Sequence, residues 1–229
     1  MLEPFPVGLQ IPPLENGDRL SRHEFERRYQ SMPYLKKAEL IEGVVYMPAA
    51  LRFRSHGQPH SWIVAWLVTY AAVTPHVSSG DAPTVRLDFD NEPQPDAVLR
   101  IEEVAGGQSR LSEDDYIEGA PELIVEIAAS SAAIDLYDKK TAYRRNGVRE
   151  YIVWQVLERR LDWFYLEQGE FLSLTAGDDG IFRSQVFPGL WLDKTALLAG
   201  NMAQVLSCLQ AGLQTQTHAN FVQNLTRKQ

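Results

Sequence analysis

Hydrophobic and polar positions change their period several times along this chain, and each change marks an expected element. ELIVEIA (122–128) is apolar almost without a break, as in a strand covered on both faces of a sheet. EYIVWQVL (150–157), RRLDWFYLE (159–167) and EFLSLTA (170–176) follow, separated by turn-forming QGE and GDDG, and together they predict a meander of strands. ELIEGVVYM (39–47) is two short apolar runs broken at Glu42-Gly43, which predicts a tight hairpin. TVRLDFD (84–90) and PDAVLRI (95–101) predict two further strands joined through an acidic turn from Asn91 to Pro95.

Helices are expected where the period lengthens. Ser21 and Glu24 have the spacing of a capping box for a short helix to about Gln30. From Pro59 to Thr74 the pattern is apolar nearly all round and stops at Pro75, as in a helix packed into the main core. Residues 49 to 58 before it are expected to be a loop. A helix of about fifteen residues is expected from Ala132 to a glycine cap at Asn146-Gly147, and the residues after Lys194 again fit helices ending in a polar tail. The elements predict an α/β fold: a central mixed sheet flanked by helices, with an additional antiparallel meander. Residues 1–20 are expected to form an arm, and 21–229 a single domain with a helical tail from about 194.

Composition narrows the class. Hydrophobic residues make up 45% and charged residues 23% of the 229, the balance of an ordinary globular protein. Cys208 is the only cysteine, so no intrachain disulfide or thiolate metal site is expected. The N-terminal tract does not resemble a signal peptide, and the apolar run Ile63 to Val73 is too short to span a bilayer, so a cytoplasmic location is expected. The net charge of −8 counts against broad attraction to nucleic acid, although Lys139, Lys140, Arg144, Arg145 and Arg149 lie in an acid-free stretch that could form one basic face. Trp154, Trp163 and Trp191 fit the core.

Glu126 is the most informative position, because a carboxylate in the middle of an apolar strand needs a cation. An ordinary salt bridge and a metal both satisfy that need. Asp96, opening PDAVLRI, supplies a second carboxylate that a neighbouring strand could bring alongside; Pro-Asp is also a common turn element. Mg²⁺ or Mn²⁺ takes one or two carboxylates plus waters and phosphate oxygens. Asp135, Lys139 and Tyr143 follow at i, i+4, i+8 on one helix face, where Lys139 could reach the carboxylates or simply form a surface pair with Asp135.

The order PD, VEI, DxxxKxxxY and GVREYIVW resembles the Uma-type family, classed as restriction endonucleases within the PD-(D/E)XK nuclease superfamily. ELIEG, PHSWIVAWL, YIEGAPELIVEI, PGLWLD and ALLAG extend the resemblance over nearly the whole chain from about residue 20. It implies a restriction-endonuclease-like fold and hydrolysis of DNA phosphodiester bonds with Mg²⁺ or Mn²⁺. It implies that Asp96 and Glu126 bind the metal, that Lys139 is the catalytic lysine and that Glu39 is a further acid of the site. His60, Lys140, Tyr143 and Arg144 would be substrate contacts, and a homodimer follows by analogy. The pattern departs from the family at Ala128, where the simplest superfamily motif has its lysine, at AASS (128–131), and at Gln155. Alternatives left open are a nuclease-like module that binds nucleic acid or protein without cutting, and a phosphodiesterase for another substrate.

Overall fold

A computed structural model describes residues 11–47, 50–129 and 131–227. Residues 1–10 of the expected arm, and the last two of the polar tail, lie outside the described residues. In chain order the elements begin with α1 (Arg22–Gln30), β1 (Glu39–Ile41) and β2 (Val44–Tyr46). A π-helical turn, Phe53–Gly57, leads into α2 (Gln58–Ala71), followed by β3 (Val77–Asp81), β4 (Val85–Arg86) and β5 (Ala97–Ile101). Then come β6 (Arg110–Leu111), β7 (Ile117–Glu118) and β8 (Leu123–Ala128), a second π-helical turn over Ile134–Lys139, and α3 (Lys140–Arg145). The chain continues through β9 (Glu150–Gln155), β10 (Arg160–Glu167), β11 (Glu170–Ser173), β12 (Ile181–Arg183) and β13 (Trp191–Asp193). It finishes with α4 (Lys194–Leu198), α5 (Met202–Leu213) and α6 (Gln216–Thr226).

Six strands form one mixed sheet in the order β11-β10-β9-β8-β5-β3. Only β8 and β9 pair in parallel, joined by a crossover through α3; the other neighbours are antiparallel. Every residue of β8 and of β9 is buried, which is why neither strand alternates in sequence. Period two then sorts their side chains. Leu123, Val125 and Ile127 meet Ile63, Trp66 and Leu67 of α2 on one face, while Ile124 and Ala128 meet Tyr143, Val148 and Tyr151 on the other. Fully burying one such aliphatic side chain stabilises by roughly 1.5–3 kcal/mol. Glu126 alternates with Val125 and Ile127, so it lies on the α3 side.

The expected meander is present, but it continues the central sheet instead of standing beside it. The β1–β2 hairpin has Glu42 and Gly43 at φ 50° and 73°, the two left-handed positions of a tight primed turn. Helix α1 forms without the expected capping box: Ser21 makes no side-chain cap, and Glu24 is taken by Arg27 and Arg28. The expected strand at 84–90 shortens to β4, which belongs to a three-stranded satellite with β7 and β6. Edge strand β3 and the β12–β13 hairpin have no apolar alternation long enough to announce them. Trp154 and Trp163 are buried as expected, whereas Trp191 is half-buried with the Arg183 guanidinium 4.5 Å from its ring centre. Among the described residues no helix is long and apolar enough to cross a membrane.

Candidate active site

Antiparallel pairing sets Ala97 opposite Val125, so Asp96 and Glu126 stand one step further along the same register and on the same sheet face. Both line a cavity of about 540 Å³, together with Glu39, Asp135, Lys139 and His56. Glu39 comes from the β1–β2 hairpin, Asp135 and Lys139 from the second π-helical turn, and His56 from the first. Four residues apart in that turn, Asp135 and Lys139 both face the sheet.

Lys139 Nζ lies 2.9 Å from Glu39 Oε1, 3.0 Å from Glu126 Oε1 and 3.7 Å from Asp135 Oδ1. The Tyr143 hydroxyl donates to the same Glu126 oxygen at 2.8 Å, so Oε2 receives neither bond. Asp96 Oδ2 accepts from the Ile127 N–H at 2.7 Å, and its Oδ1 is 3.1 Å from His56 Nε2. Glu39 Oε1 also accepts from the Gln94 N–H at 2.7 Å. Ser131 donates to Asp135 Oδ2 at 2.5 Å, while Asp135 Oδ1 is buried without a hydrogen-bond partner. Ser130, from the AASS tract, lies outside the described residues.

Three buried carboxylates therefore surround one buried ammonium, with the buried Asp96 beside them, and acids outnumber that ammonium. Burial pushes Glu126 up to about 8; Lys139 opposes that rise, and Asp135, Asp96 and Glu39 reinforce it. Burial would likewise lower Lys139, but Glu126, Glu39 and Asp135 hold it well above its ordinary value, so it remains a cation. Asp96 ends below the ordinary carboxylate range: burial raises it, and the His56 bond, the Ile127 N–H and Lys37 outweigh that.

The excess acid, an Asp135 Oδ1 that accepts no hydrogen bond, and the carboxylate oxygens of Asp96 and Glu126 fit a hard divalent cation. Among the described residues no group of three or more His, Cys, Asp or Glu stands at metal-ligand spacing, so Asp96 and Glu126 would leave further ligand positions to water and phosphate.

Several expected contacts fall elsewhere. The Asp135–Lys139 pair is buried, not at the surface, because the helix packs its charged face onto the carboxylates. His60 does not line the cavity; its Nε2 is 2.7 Å from the Asp96 backbone oxygen and 3.0 Å from Asp81, a post beneath the site. Lys140 sits over the Phe164 ring at 3.5 Å, and Arg144 meets Glu170 and the Gly169 carbonyl on the β10–β11 hairpin. Tyr143 is buried with its hydroxyl on Glu126. Arg145 pairs with Glu42 and Asp88, and Arg149 bonds Gln108. Lys139, Arg144 and Arg145 are thus paired with acids, while Lys140 and Arg149 make other contacts. Sequence reasoning passed over His56, hidden in an expected loop, and gave Asp135 only a spacing role.

A mixed sheet carrying clustered carboxylates and a buried lysine defines a restriction-endonuclease-like α/β protein. Residues 22–195 match Uma2, a family described as "Putative restriction endonuclease". The chain belongs to that family. A solved structure described as "a putative nuclease belonging to DUF820", from Anabaena variabilis ATCC 29413, superposes with a TM-score of 0.52 at 13% identity. The match covers 80% of this chain and 97% of that one, and it is a likeness of fold. No curated protein matches the chain.

Proposed function

We propose that this protein is a divalent-cation-dependent endonuclease that hydrolyses DNA phosphodiester bonds in the cavity between β5, β8 and the second π-helical turn. The observation that carries this reading is the convergence of Glu39, Glu126 and Asp135 on a single buried lysine, with Asp96 lining the same cavity beside Glu126. Asp96 and Glu126 would hold Mg²⁺ or Mn²⁺. When bound, such a cation polarises a phosphate oxygen and makes a nearby water more acidic.

The chain's own residues prepare the rest. The Ile127 N–H and His56 fix the two oxygens of Asp96, and Tyr143 fixes one oxygen of Glu126. Glu39, anchored by the Gln94 N–H, orients the Lys139 ammonium, which offsets negative charge growing on the phosphate. In the overall reaction a water oxygen joins phosphorus, one ester P–O bond breaks, and the water's proton ends on the departing oxygen.

Supercoiled plasmid incubated with Mg²⁺ or Mn²⁺ tests the reading. The native protein is expected to nick it, and Glu126→Ala and Lys139→Ala are each expected to lower the rate at least about a hundredfold, the scale of losing an electrostatic contact to a transition state. DNA binding without cleavage under either metal would instead favour a non-cutting nucleic-acid-binding module.

A further inference from the structure

Residues 51–54 read Leu-Arg-Phe-Arg and run directly into the π-helical turn that carries His56. Leu51 and Phe53 are 66% and 73% exposed, large values for side chains that are normally covered. Arg52 and Arg54 are exposed as well, and among the described residues neither makes an ion pair or a side-chain hydrogen bond. That separates them from the helix arginines Arg144 and Arg145, which have acidic partners. Leu51 and Arg52 line the carboxylate cavity, as does the 65% exposed Leu157. His56, two residues past Arg54, is 3.1 Å from Asp96, so the strip is tethered to the candidate metal site by a short, helically wound stretch of chain.

An exposed ring between two uncommitted guanidinium groups matches a strand whose bases are unpaired: the base stacks on the ring and the arginines meet the adjoining phosphates. A duplex keeps its bases stacked on one another and is held mainly through many phosphate contacts, which two arginines on a chain of net charge −8 supply poorly. Resting on the nuclease reading above, we propose that residues 51–54 form the strand-binding strip and that the substrate is nucleic acid presenting unpaired bases, single-stranded or locally melted. Phe53 stacks one base, Arg52 and Arg54 contact phosphates, and Leu51 with Leu157 forms the apolar wall at the mouth of the cavity.

Fluorescence anisotropy with a labelled single-stranded oligodeoxynucleotide, and with its duplex, in Ca²⁺ to hold back cleavage, tests the strip. The single strand is expected to bind at least about tenfold more tightly than the duplex, and Phe53→Ala to weaken single-strand binding about tenfold. Arg52→Ala with Arg54→Ala should flatten the dependence of log affinity on log salt by about 0.7 for each phosphate that is no longer neutralised. All three side chains are exposed, so the thermal midpoints of the variants should match the native one, and a variant that shifts is replaced by Phe53→Ser or Arg52→Gln. Equal affinity for both DNA forms, or a Phe53→Ala protein that binds like the native, overturns the proposal. Cleavage of the same single strand, and of supercoiled plasmid, with Mg²⁺ or Mn²⁺ in place of Ca²⁺ separates the two readings. Binding through Phe53 with neither DNA cut removes the hydrolase and keeps the strip; cutting with affinity unchanged in Phe53→Ala removes the strip and keeps the hydrolase.

Discussion

Lys139 holds the site together as a matter of charge. It is only 5% exposed and lies within 4 Å of three carboxylates, none of which has another cation as near among the described residues. Removing one partner of a buried ion pair commonly costs roughly 3–5 kcal/mol, because the remaining charge stays desolvated. Lys139→Ala is therefore expected to lower the unfolding free energy in urea by about that amount. Mn²⁺ at millimolar concentration should raise the variant's melting temperature more than the native protein's, since an ion bound only by the folded state adds stability in proportion to its occupancy. Equal stability of the two proteins without metal would show that the carboxylates are neutralised by protons instead. From sequence, Asp96, Glu126, Glu39 and Lys139 were all legible, through an acid in an apolar strand and the family pattern. His56 was not, because a lone histidine in a stretch without periodicity carries no signal until the chain winds it against Asp96.

Among the elements, β9 shows how a buried acid can stitch a loop to a sheet. Glu150, at its first position, accepts from the Ser184 hydroxyl and the Gln185 N–H, both at 2.7 Å, and so holds the segment after β12. Burial pushes its carboxyl from an ordinary 4.5 up to about 7, against the pull of those two donors. The folded state thus holds this proton more tightly than the unfolded chain does. That contribution is complete below about pH 4.5 and is lost as pH rises toward 7, roughly 3 kcal/mol at 1.4 kcal/mol per unit. Urea midpoints of the native protein should fall across that window, and Glu150→Gln should flatten the fall. Glu92, pushed up to about 8 by burial and by Glu26, and Glu126, also raised to about 8, add slopes of their own from about pH 4.5 to 8, so Glu150→Gln reduces the fall without abolishing it. Parallel curves for the two proteins would rule Glu150 out as the source. The β8 and β9 strands were readable from unbroken apolar runs, but the π turns were not, because a π turn and an α turn share the same composition.

Across the whole molecule, the family match ends at residue 195, yet the core does not. Val205 and Leu209 of α5 and Leu225 of α6 are buried in the same cluster as Ile63, Trp66, Leu123 and Val125. Leu209→Ala is expected to cost roughly 2–5 kcal/mol in urea unfolding, within a single cooperative transition, as for a leucine in a main core. A loss under about 0.5 kcal/mol, the scale of a surface substitution, would mean that α5 is a loosely attached appendage.

Local order was written in the amino-acid sequence: which runs are covered on both faces, where the hairpin turns, and that an acid interrupts an apolar strand. Those properties depend on side-chain chemistry within a few residues. What only tertiary structure decided was which charges meet. Register between β5 and β8 faces Asp96 toward Glu126, winding at two π turns delivers His56 and Lys139, and distant acids consume the helix arginines while leaving Arg52 and Arg54 unpaired among the described residues. Such meetings span up to about a hundred residues of chain, as between Glu42 and Arg145. A carboxylate's partner is set by proximity in space, which no local pattern encodes.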